Sequence, residues 1–198
     1  MIAIAGAANS GKDSLLHLLK ERLPFQLRRF SLGDILKQEL YQFVMENFGI
    51  STFTEDREEK NLIRPLMVEY ARIKRLKSEG RYFVDKVDRL ISDYREHADP
   101  NCIPALTDLR FAQFKRDELY WAKVERNAYT IFITRIENNG SHPKPINDEE
   151  ANNNPKIFEQ ADYRLCWKSF DNEPDLEYKL NDLCSHIKTY LKKNYVFE

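Results

Sequence analysis

The first twenty residues, MIAIAGAANSGKDSLLHLLK (1–20), decide the fold of this chain. A short apolar run from Met1 to Ala5 is followed by GAANSGK, in which Gly6, Gly11 and Lys12 fit the spacing GxxxxGK. The leucines that follow recur on one helical face, which predicts an amphipathic helix over 12–23. A strand, a glycine-bounded turn and a helix in this order predict a phosphate-binding loop at the edge of a parallel sheet.

The residue types of this loop suit phosphate binding. Glycines allow close approach of the backbone, and N–H groups at a helix N-terminus attract anions. Lys12 is predicted to reach the outer phosphates. An accidental glycine-rich turn is the alternative, but it would need the strand, the spacing, the lysine and the helix to coincide. The predicted phosphate contacts are Gly6, Ala8, Asn9, Ser10, Gly11, Lys12, Asp13 and Ser14.

The position after Lys12 departs from the usual loop, which has Ser or Thr there. This chain has Asp13 followed by Ser14. A carboxylate at this place would hold water on a magnesium ion, or it would only favour the positive end of the helix dipole. Ser14 would contact either the metal or the α-phosphate. The sequence does not decide between the two roles of Asp13 or between the two contacts of Ser14.

A second candidate site lies in CIPALTDLRF (102–111). Asp108 ends an apolar central strand, so its carboxylate should lie at the same sheet edge as the phosphate loop. It would orient magnesium-bound water, which makes Asp13, Ser14 and Asp108 the predicted metal residues. Arg110 would neutralise the transferring phosphoryl group. A strand-end turn with a surface ion pair is the alternative.

The wider pattern predicts one domain over residues 1–198 with a three-layer α/β fold. Strands are predicted over 1–5, 26–31, 102–106, 129–134 and 163–167, with helical patterns between most of them. Such alternation favours a parallel five-stranded sheet flanked by helices. Residues 34–100 are too long for a simple crossover and predict an inserted helical region. The polar stretch 137–154 predicts an irregular lid.

Composition limits the classes of ligand. Thirty-one basic and thirty-two acidic residues give a formal charge of -1, which argues against binding a nucleic acid polymer or a membrane surface. The apolar N-terminal run is short and lacks a basic leader, so a cytoplasmic protein is expected. Three widely spaced cysteines, Cys102, Cys166 and Cys184, predict buried reduced thiols and no structural zinc.

Five stretches together resemble the phage-type deoxynucleoside monophosphate kinases, within the P-loop nucleoside monophosphate kinases. They are GAANSGKDS, RRFSLGDILKQEL, IRPLMVEYARIKR, TDLRF and FITRI, and they span most of residues 1–136. The chain departs from the family in two places. Ala71 follows Tyr70, where a glycine is expected, and His142 is followed by Pro-Lys-Pro.

The resemblance implies that the chain transfers the γ-phosphoryl group of ATP to the 5′-phosphate of a nucleotide, with Mg²⁺. Lys12, Asp108, Arg110 and Arg135 would be the catalytic residues. In the helical insertion, Lys37, Arg64 and Arg75 would bind the acceptor phosphate.

Two other functions stay open on the sequence. One is a P-loop kinase for another small phosphorylated or hydroxylated acceptor, similar to phosphomevalonate kinase. The other is a non-catalytic nucleotide-binding regulatory protein, although such a protein would not need arginines placed for a transition state. The expected partners are small nucleotides, and the sequence allows a homodimer without determining the oligomeric state.

Overall fold

The computed structural model describes residues 1–97, 101–136, 140–141, 148–168 and 174–194. Its centre is a five-stranded sheet in the order β2-β3-β1-β4-β5, in which all four neighbouring pairs are parallel. The five predicted strands and the three-layer α/β arrangement are therefore confirmed. The strands are β1 (Ile2–Ala5), β2 (Gln26–Phe30), β3 (Cys102–Leu109), β4 (Tyr129–Arg135) and β5 (Tyr163–Trp167).

Helices cover both faces of this sheet because successive strand residues point to opposite sides. Ile2 and Ile4 pack in a core with the leucines of the first helix and with the last helix, whereas Ala3 and Ala5 pack on the other side. The helices are α1 (Lys12–Arg22), α2 (Leu32–Phe48), α3 (Arg57–Lys77), α4 (Arg81–His97), α5 (Glu118–Tyr120, continued by a π-helical turn at Trp121–Glu125), α6 (Asp148–Gln160) and α7 (Leu176–Asn194).

The predicted helical insertion consists of α2, α3 and α4. A small apolar cluster of Leu40, Val44 and Ile63 joins α2 to α3. α4 instead buries Phe83 and Val84 in the core against the sheet. Within the insertion, α2 and α3 thus form a pair of helices that packs on α4 and on the end of β3.

The predicted lid has two parts with different outcomes. Residues 137–139 and 142–147 lie outside the described residues. Residues 148–154 form the first half of α6, so the irregular structure predicted for them is wrong. Asn153 is buried there, and its side chain accepts from the Ala112 N–H over 2.8 Å and donates to the Glu149 carbonyl over 2.6 Å. Tertiary contacts therefore stabilise a helix in a segment whose Asn and Pro content is typical of a loop.

The cysteine prediction is correct at two positions and wrong at one. All three cysteines are free, and Cys102 and Cys184 are buried, but Cys166 is exposed. It lies on β5, an edge strand, with its side chain on the face opposite the core residues Leu165 and Trp167. Within the described residues, no helix combines the length and the apolar character that crossing a membrane requires.

Candidate active site

The loop between β1 and α1 depends on glycine at both ends. Gly6 has a φ of +139°, and a Cβ there would lie 2.5 Å from the carbonyl oxygen of Ile133 on β4. Gly11 has a φ of +92°, and its Cβ would lie 2.6 Å from Cζ2 of Trp167. These positions combine left-handed backbone with close packing, which only glycine tolerates. The two glycines of the motif are therefore explained by contacts with β4 and β5.

Lys12 is the first residue of α1, and its side chain turns back onto this loop. Its side chain is buried, with 8% of the residue exposed, and Nζ donates to the carbonyl oxygens of Gly6 over 2.8 Å and Ala7 over 2.7 Å. Burial and, to a smaller extent, the charge of Arg110 lower the pKa of Lys12 to about 8, against the opposing charges of Glu150, Asp108 and Asp13. Within the described part of the chain, no carboxylate lies within 4 Å of the ammonium.

Two more features of the loop favour an anion. No side chain among the described residues caps the N-terminus of α1, which begins at Lys12. The N–H groups of its first turn are thus available to a ligand. The hydroxyl of Ser10 is buried and has no hydrogen-bond partner within the described structure. A bound phosphate would satisfy groups of this kind, because unpaired buried polar atoms are costly.

The two predicted catalytic arginines lie on either side of the loop. Arg135, at the end of β4, donates from Nη1 to the carbonyl oxygen of Asn9 over 3.2 Å. Arg110 follows β3, and its positive charge acts on Lys12. The Nε atom of Arg110 is buried without a hydrogen-bond partner in the described structure. The structure thus brings Lys12, Arg110 and Arg135 together at the carboxyl edge of the sheet.

A pair of acidic residues that the sequence analysis missed holds the backbone beside Arg110. Oε2 of Glu118 accepts from the N–H groups of Arg110 over 2.8 Å and Phe111 over 3.1 Å. Asp117 accepts from the N–H groups of Gln113 and Phe114, a few residues earlier in the chain. Burial raises the pKa of Glu118 to about 8, although its backbone bonds and a nearby arginine oppose the shift. The Asp-Glu pair shortly after TDLRF was the available sequence signal.

Asp108 has a structural task that its position at the strand end did not reveal. Its carboxylate accepts from the Ser31 hydroxyl over 2.7 Å and from the N–H groups of Leu32 over 2.9 Å and Gly33 over 2.7 Å. Three donors from the start of α2 thus converge on one side chain. Asp108 fixes α2 against β3, and the predicted role in holding metal-bound water stays a prediction.

Asp13 and Ser14 are both exposed in the first turn of α1. The Asp13 side chain is 78% exposed and accepts from Nε of Arg29 over 3.3 Å, while Arg29 also pairs with Asp34. Such surface pairs contribute about 0–1 kcal/mol, so Arg29 would not prevent the carboxylate from turning to a metal.

Hard oxygen ligands of this type fit Mg²⁺, which usually keeps several waters and binds through phosphates. Within the described residues, however, no cluster of three or more metal-ligating side chains exists. Asp13 and Ser14 would supply at most part of a coordination shell that phosphates complete.

The three predicted acceptor residues lie in different surroundings. Lys37 places its ammonium 5.5 Å from the centre of the Phe53 ring. Arg64 is exposed on α3. Arg75 is buried, stacks on Phe111, and donates to Gln113 over 3.1 Å and Glu149 over 3.2 Å. The structure does not bring these three side chains together.

Trp167 is the most direct neighbour of the loop that the sequence analysis missed. It is buried at the end of β5, packs against Gly11, and its indole N–H donates to the carbonyl oxygen of Ser10 over 2.9 Å. The only signal was a large aromatic residue at the carboxyl end of a predicted strand.

Comparisons with known proteins give structural likenesses only. No protein-family model matches the chain, and no curated protein does. Dephospho-CoA kinase from Campylobacter jejuni has a TM-score of 0.49 at 14% identity, over 94% of this chain and 96% of that one. The TT1252 structure from Thermus thermophilus has 0.46 at 13%, over 96% of each chain.

Shikimate kinase from Aquifex aeolicus has a TM-score of 0.43 at 16% identity, over 98% of this chain and 96% of that one. Values this low say nothing about what the present chain acts on. The chain is a three-layer α/β protein with a glycine-bounded loop between the first strand and the first helix, at the edge of its parallel sheet.

Proposed function

We propose that this protein is a P-loop kinase that transfers the γ-phosphoryl group of ATP to the 5′-phosphate of a (deoxy)nucleoside monophosphate. The observation that carries the proposal is the position of Lys12. Among the described residues, its buried ammonium bonds only to the carbonyls of Gly6 and Ala7, with Arg110 and Arg135 on either side. Three cations at one sheet edge suit two polyphosphate ligands held end to end.

ATP would bind in the loop. Its phosphates would take the N–H groups at the uncapped start of α1 and the hydroxyl of Ser10, and Lys12 would leave its two carbonyl partners for phosphate oxygens. Mg²⁺, when bound, would neutralise phosphate charge beside Asp13 and Ser14. A phosphate ligand would also relieve the low pKa of Lys12, since an anion favours the charged ammonium.

The transfer itself needs positioning and charge neutralisation more than covalent chemistry. Arg110 would face the transferring phosphoryl group from β3, and Arg135 would face it from β4. Glu118 would keep the backbone of Arg110 in place through its bond to the N–H group. The arginine fork suits planar phosphate oxygens better than a lysine would.

The surroundings favour a phosphate acceptor over a hydroxyl acceptor. A hydroxyl group gains from a general base, whereas a phosphate oxygen is already anionic near neutral pH. Of the nearby carboxylates, Asp108 accepts three hydrogen bonds from the start of α2, so it is poorly placed to act as such a base. No base is needed for the proposed acceptor.

The acceptor would lie along one face of α3. Arg64, Val68, Ala71 and Arg75 recur at helical spacing, so they share a face. Arg75 anchors that face to the segment after β3 through Gln113 and Phe111. Because its guanidinium is held there, Arg75 would position α3, and the exposed Arg64 would approach the acceptor nearer the open end of the helix.

A coupled ADP-release assay tests the proposal. Purified protein with ATP and Mg²⁺ is presented with each ribo- and deoxynucleoside monophosphate, and with shikimate and dephospho-CoA as acceptors that carry hydroxyl groups. We expect turnover with at least one monophosphate and none with the other two. Lys12→Ala should lower kcat by roughly 10²-fold or more, as removal of a transition-state charge partner does.

Arg22→Ala is the matched control, because this cation lies at the far end of α1 and pairs with Glu177 on the surface. It should retain full activity. Turnover only with the hydroxyl acceptors would replace the monophosphate by another small substrate. ATP binding without turnover on any acceptor would favour a regulatory nucleotide-binding protein.

A further inference from the structure

The exposed apolar side chains of the described residues concentrate in one part of the chain. Ten of the fourteen large ones lie between residues 41 and 76, on α2, on α3 and in the loop between them. Elsewhere such residues are scattered singly, which is normal for a soluble protein. A local concentration of this size is typical of an interaction surface.

α3 contributes a regular stripe to this surface. Leu62, Leu66, Ile73 and Leu76 are 72%, 36%, 43% and 43% exposed. With Glu69 between them, they follow the alternating spacing of four and three residues that places side chains along one seam of a helix pair. We call these five residues the α3 stripe. The side chains that α3 buries against α2 and the sheet lie elsewhere on the helix, with Ile63 and Arg75 among them.

α2 extends the apolar surface on the same side. Tyr41, Met45 and Phe48 share one face of α2, opposite Glu39, which bonds to Lys86 on α4. The α3 stripe likewise lies away from Ala71, which packs towards the sheet. Since α4 and the sheet lie beneath both helices, both exposed sets face outward together.

The area is close to what a stable interface needs. The four apolar residues of the stripe, with Tyr41, Met45, Phe48 and Phe53, are between 36% and 72% exposed. At roughly 200 Å² for a full-sized apolar side chain, these fractions leave on the order of 700 Å² accessible. A standard interface buries about 800 Å² on each partner.

We propose that this face binds a second copy of the same chain, with the two α3 helices antiparallel across a two-fold axis. In an antiparallel pair, a stripe residue that precedes a four-residue step lies opposite one that precedes a three-residue step. Leu62 therefore lies opposite Ile73 of the partner, and Leu66 lies opposite Glu69. Two-fold pairing through one self-complementary patch is the commonest arrangement of soluble dimers.

Charge along the exposed side of α3 supports this direction. Glu58 and Glu59 stand at its N-terminal end, and Arg72 and Lys77 stand towards its C-terminal end. Antiparallel pairing brings the acidic end of one helix to the basic end of the other, and it also opposes the two helix dipoles. Parallel pairing would place like charges together.

Glu69 is the polar member of the stripe. Its carboxylate already pairs with Arg72 of the same helix over 2.6 Å, so it would enter the seam as part of an ion pair and not as a lone charge. The face of α3 that carries Arg64 lies away from the stripe, so the pairing leaves that face open.

Sedimentation velocity over a range of protein concentrations tests the pairing. We expect the wild-type chain to be a dimer at micromolar concentration, and Leu62→Glu to be a monomer with unchanged far-UV circular dichroism. The matched control is Val124→Glu, which replaces another strongly exposed apolar side chain, 62% accessible, outside this surface. It should stay dimeric. A wild-type chain that is monomeric throughout would overturn the proposal.

Cross-linking tests the antiparallel register. In a Cys166→Ser background, the double variant Leu62→Cys/Ile73→Cys should form a disulfide-linked dimer under mild oxidation. The two positions are about 16 Å apart along one helix, too far for a bridge within a chain, since bridged Cα atoms lie within about 7 Å.

The single variants Leu62→Cys and Ile73→Cys are the controls, and neither should cross-link, because equivalent positions are offset in the antiparallel pair. Efficient cross-linking of a single variant would show a parallel or different contact and overturn the proposal. These outcomes are independent of phosphotransfer activity, since none of them requires a substrate.

Discussion

Trp167 donates a hydrogen bond from its indole N–H to the carbonyl oxygen of Ser10 over 2.9 Å, and its ring packs against Gly11. The last strand of the sheet thus contacts and supports the loop between β1 and α1. Trp167→Phe would keep most of the packing and lose the hydrogen bond, which contributes about 1 kcal/mol. We expect the KM for ATP to rise about five-fold with kcat nearly unchanged.

The other tryptophan, Trp121, is the control for a measurement of ATP binding by tryptophan fluorescence. Trp121 is fully buried and bonds to Asp88, away from the loop. ATP should therefore change the fluorescence of the wild-type chain and leave that of Trp167→Phe nearly constant. An equal change in both proteins would show that ATP does not bind beside Trp167.

Gly11→Ala should disturb the loop through the same contact. The new Cβ would lie 2.6 Å from Trp167, at a backbone φ of +92°. Strain of this kind costs about 1–3 kcal/mol, which urea denaturation would measure. The double variant Gly11→Ala/Trp167→Phe should lose less unfolding free energy than the two single variants added together, because the smaller ring removes part of the clash. Additive costs would show that backbone strain alone acts.

Glu118→Gln should change how stability depends on pH. The folded-state pKa of Glu118 is about 8, above its value of 4.5 in the unfolded chain. Between these values the unfolded chain loses a proton that the folded protein keeps, so the free energy of unfolding falls as pH rises, by up to about 1.4 kcal/mol per pH unit. The groups that act on this carboxyl group are Arg75, Asp108, Asp117 and the N–H of Arg110.

Urea denaturation at intervals from pH 5 to pH 9 measures this slope. In Glu118→Gln the fall should disappear, whereas Glu159→Gln, at an exposed position on α6, should retain it. An unchanged slope in Glu118→Gln would show that other groups control the pH dependence. Gln keeps an oxygen that can accept from the N–H of Arg110, so the variant should still fold.

Asp108→Asn separates a structural role from a metal role. The amide would retain only one acceptor for the three donors of Ser31, Leu32 and Gly33, so we expect a loss of about 1–3 kcal/mol in unfolding free energy. If Asp108 only holds α2, the Mg²⁺ concentration for half-maximal activity should stay constant. A several-fold rise in that concentration would instead support the predicted metal role.

Asp13→Asn and Asp13→Ser address the residue that departs from the usual loop. If the Asp13 carboxylate binds the metal shell through its charge, Asp13→Asn should raise the Mg²⁺ concentration for half-maximal activity. Asp13→Ser should raise that concentration less, because its hydroxyl can act as a ligand. If Asp13 only favours the start of α1, both variants should lose about 0.3–1 kcal/mol of stability with no change in Mg²⁺ dependence.

The sequence by itself determined the order of elements and the position of the loop. Apolar runs and helical periods are local signals, so all five strands and the helix after the loop could be predicted. The same holds for Gly6, Gly11 and Lys12, whose spacing is a property of the chain.

Only the tertiary structure decided which side chains meet. Trp167 reaches Ser10 across 157 positions of chain, and Asp108 reaches Ser31 across 77. Asn153 stabilises a helix where composition indicated a loop, and Arg75, predicted to bind the acceptor phosphate, is buried and bonds to Gln113 and Glu149. Contacts between residues far apart in sequence depend on how strands and helices pack, and one sequence carries no local signal for them.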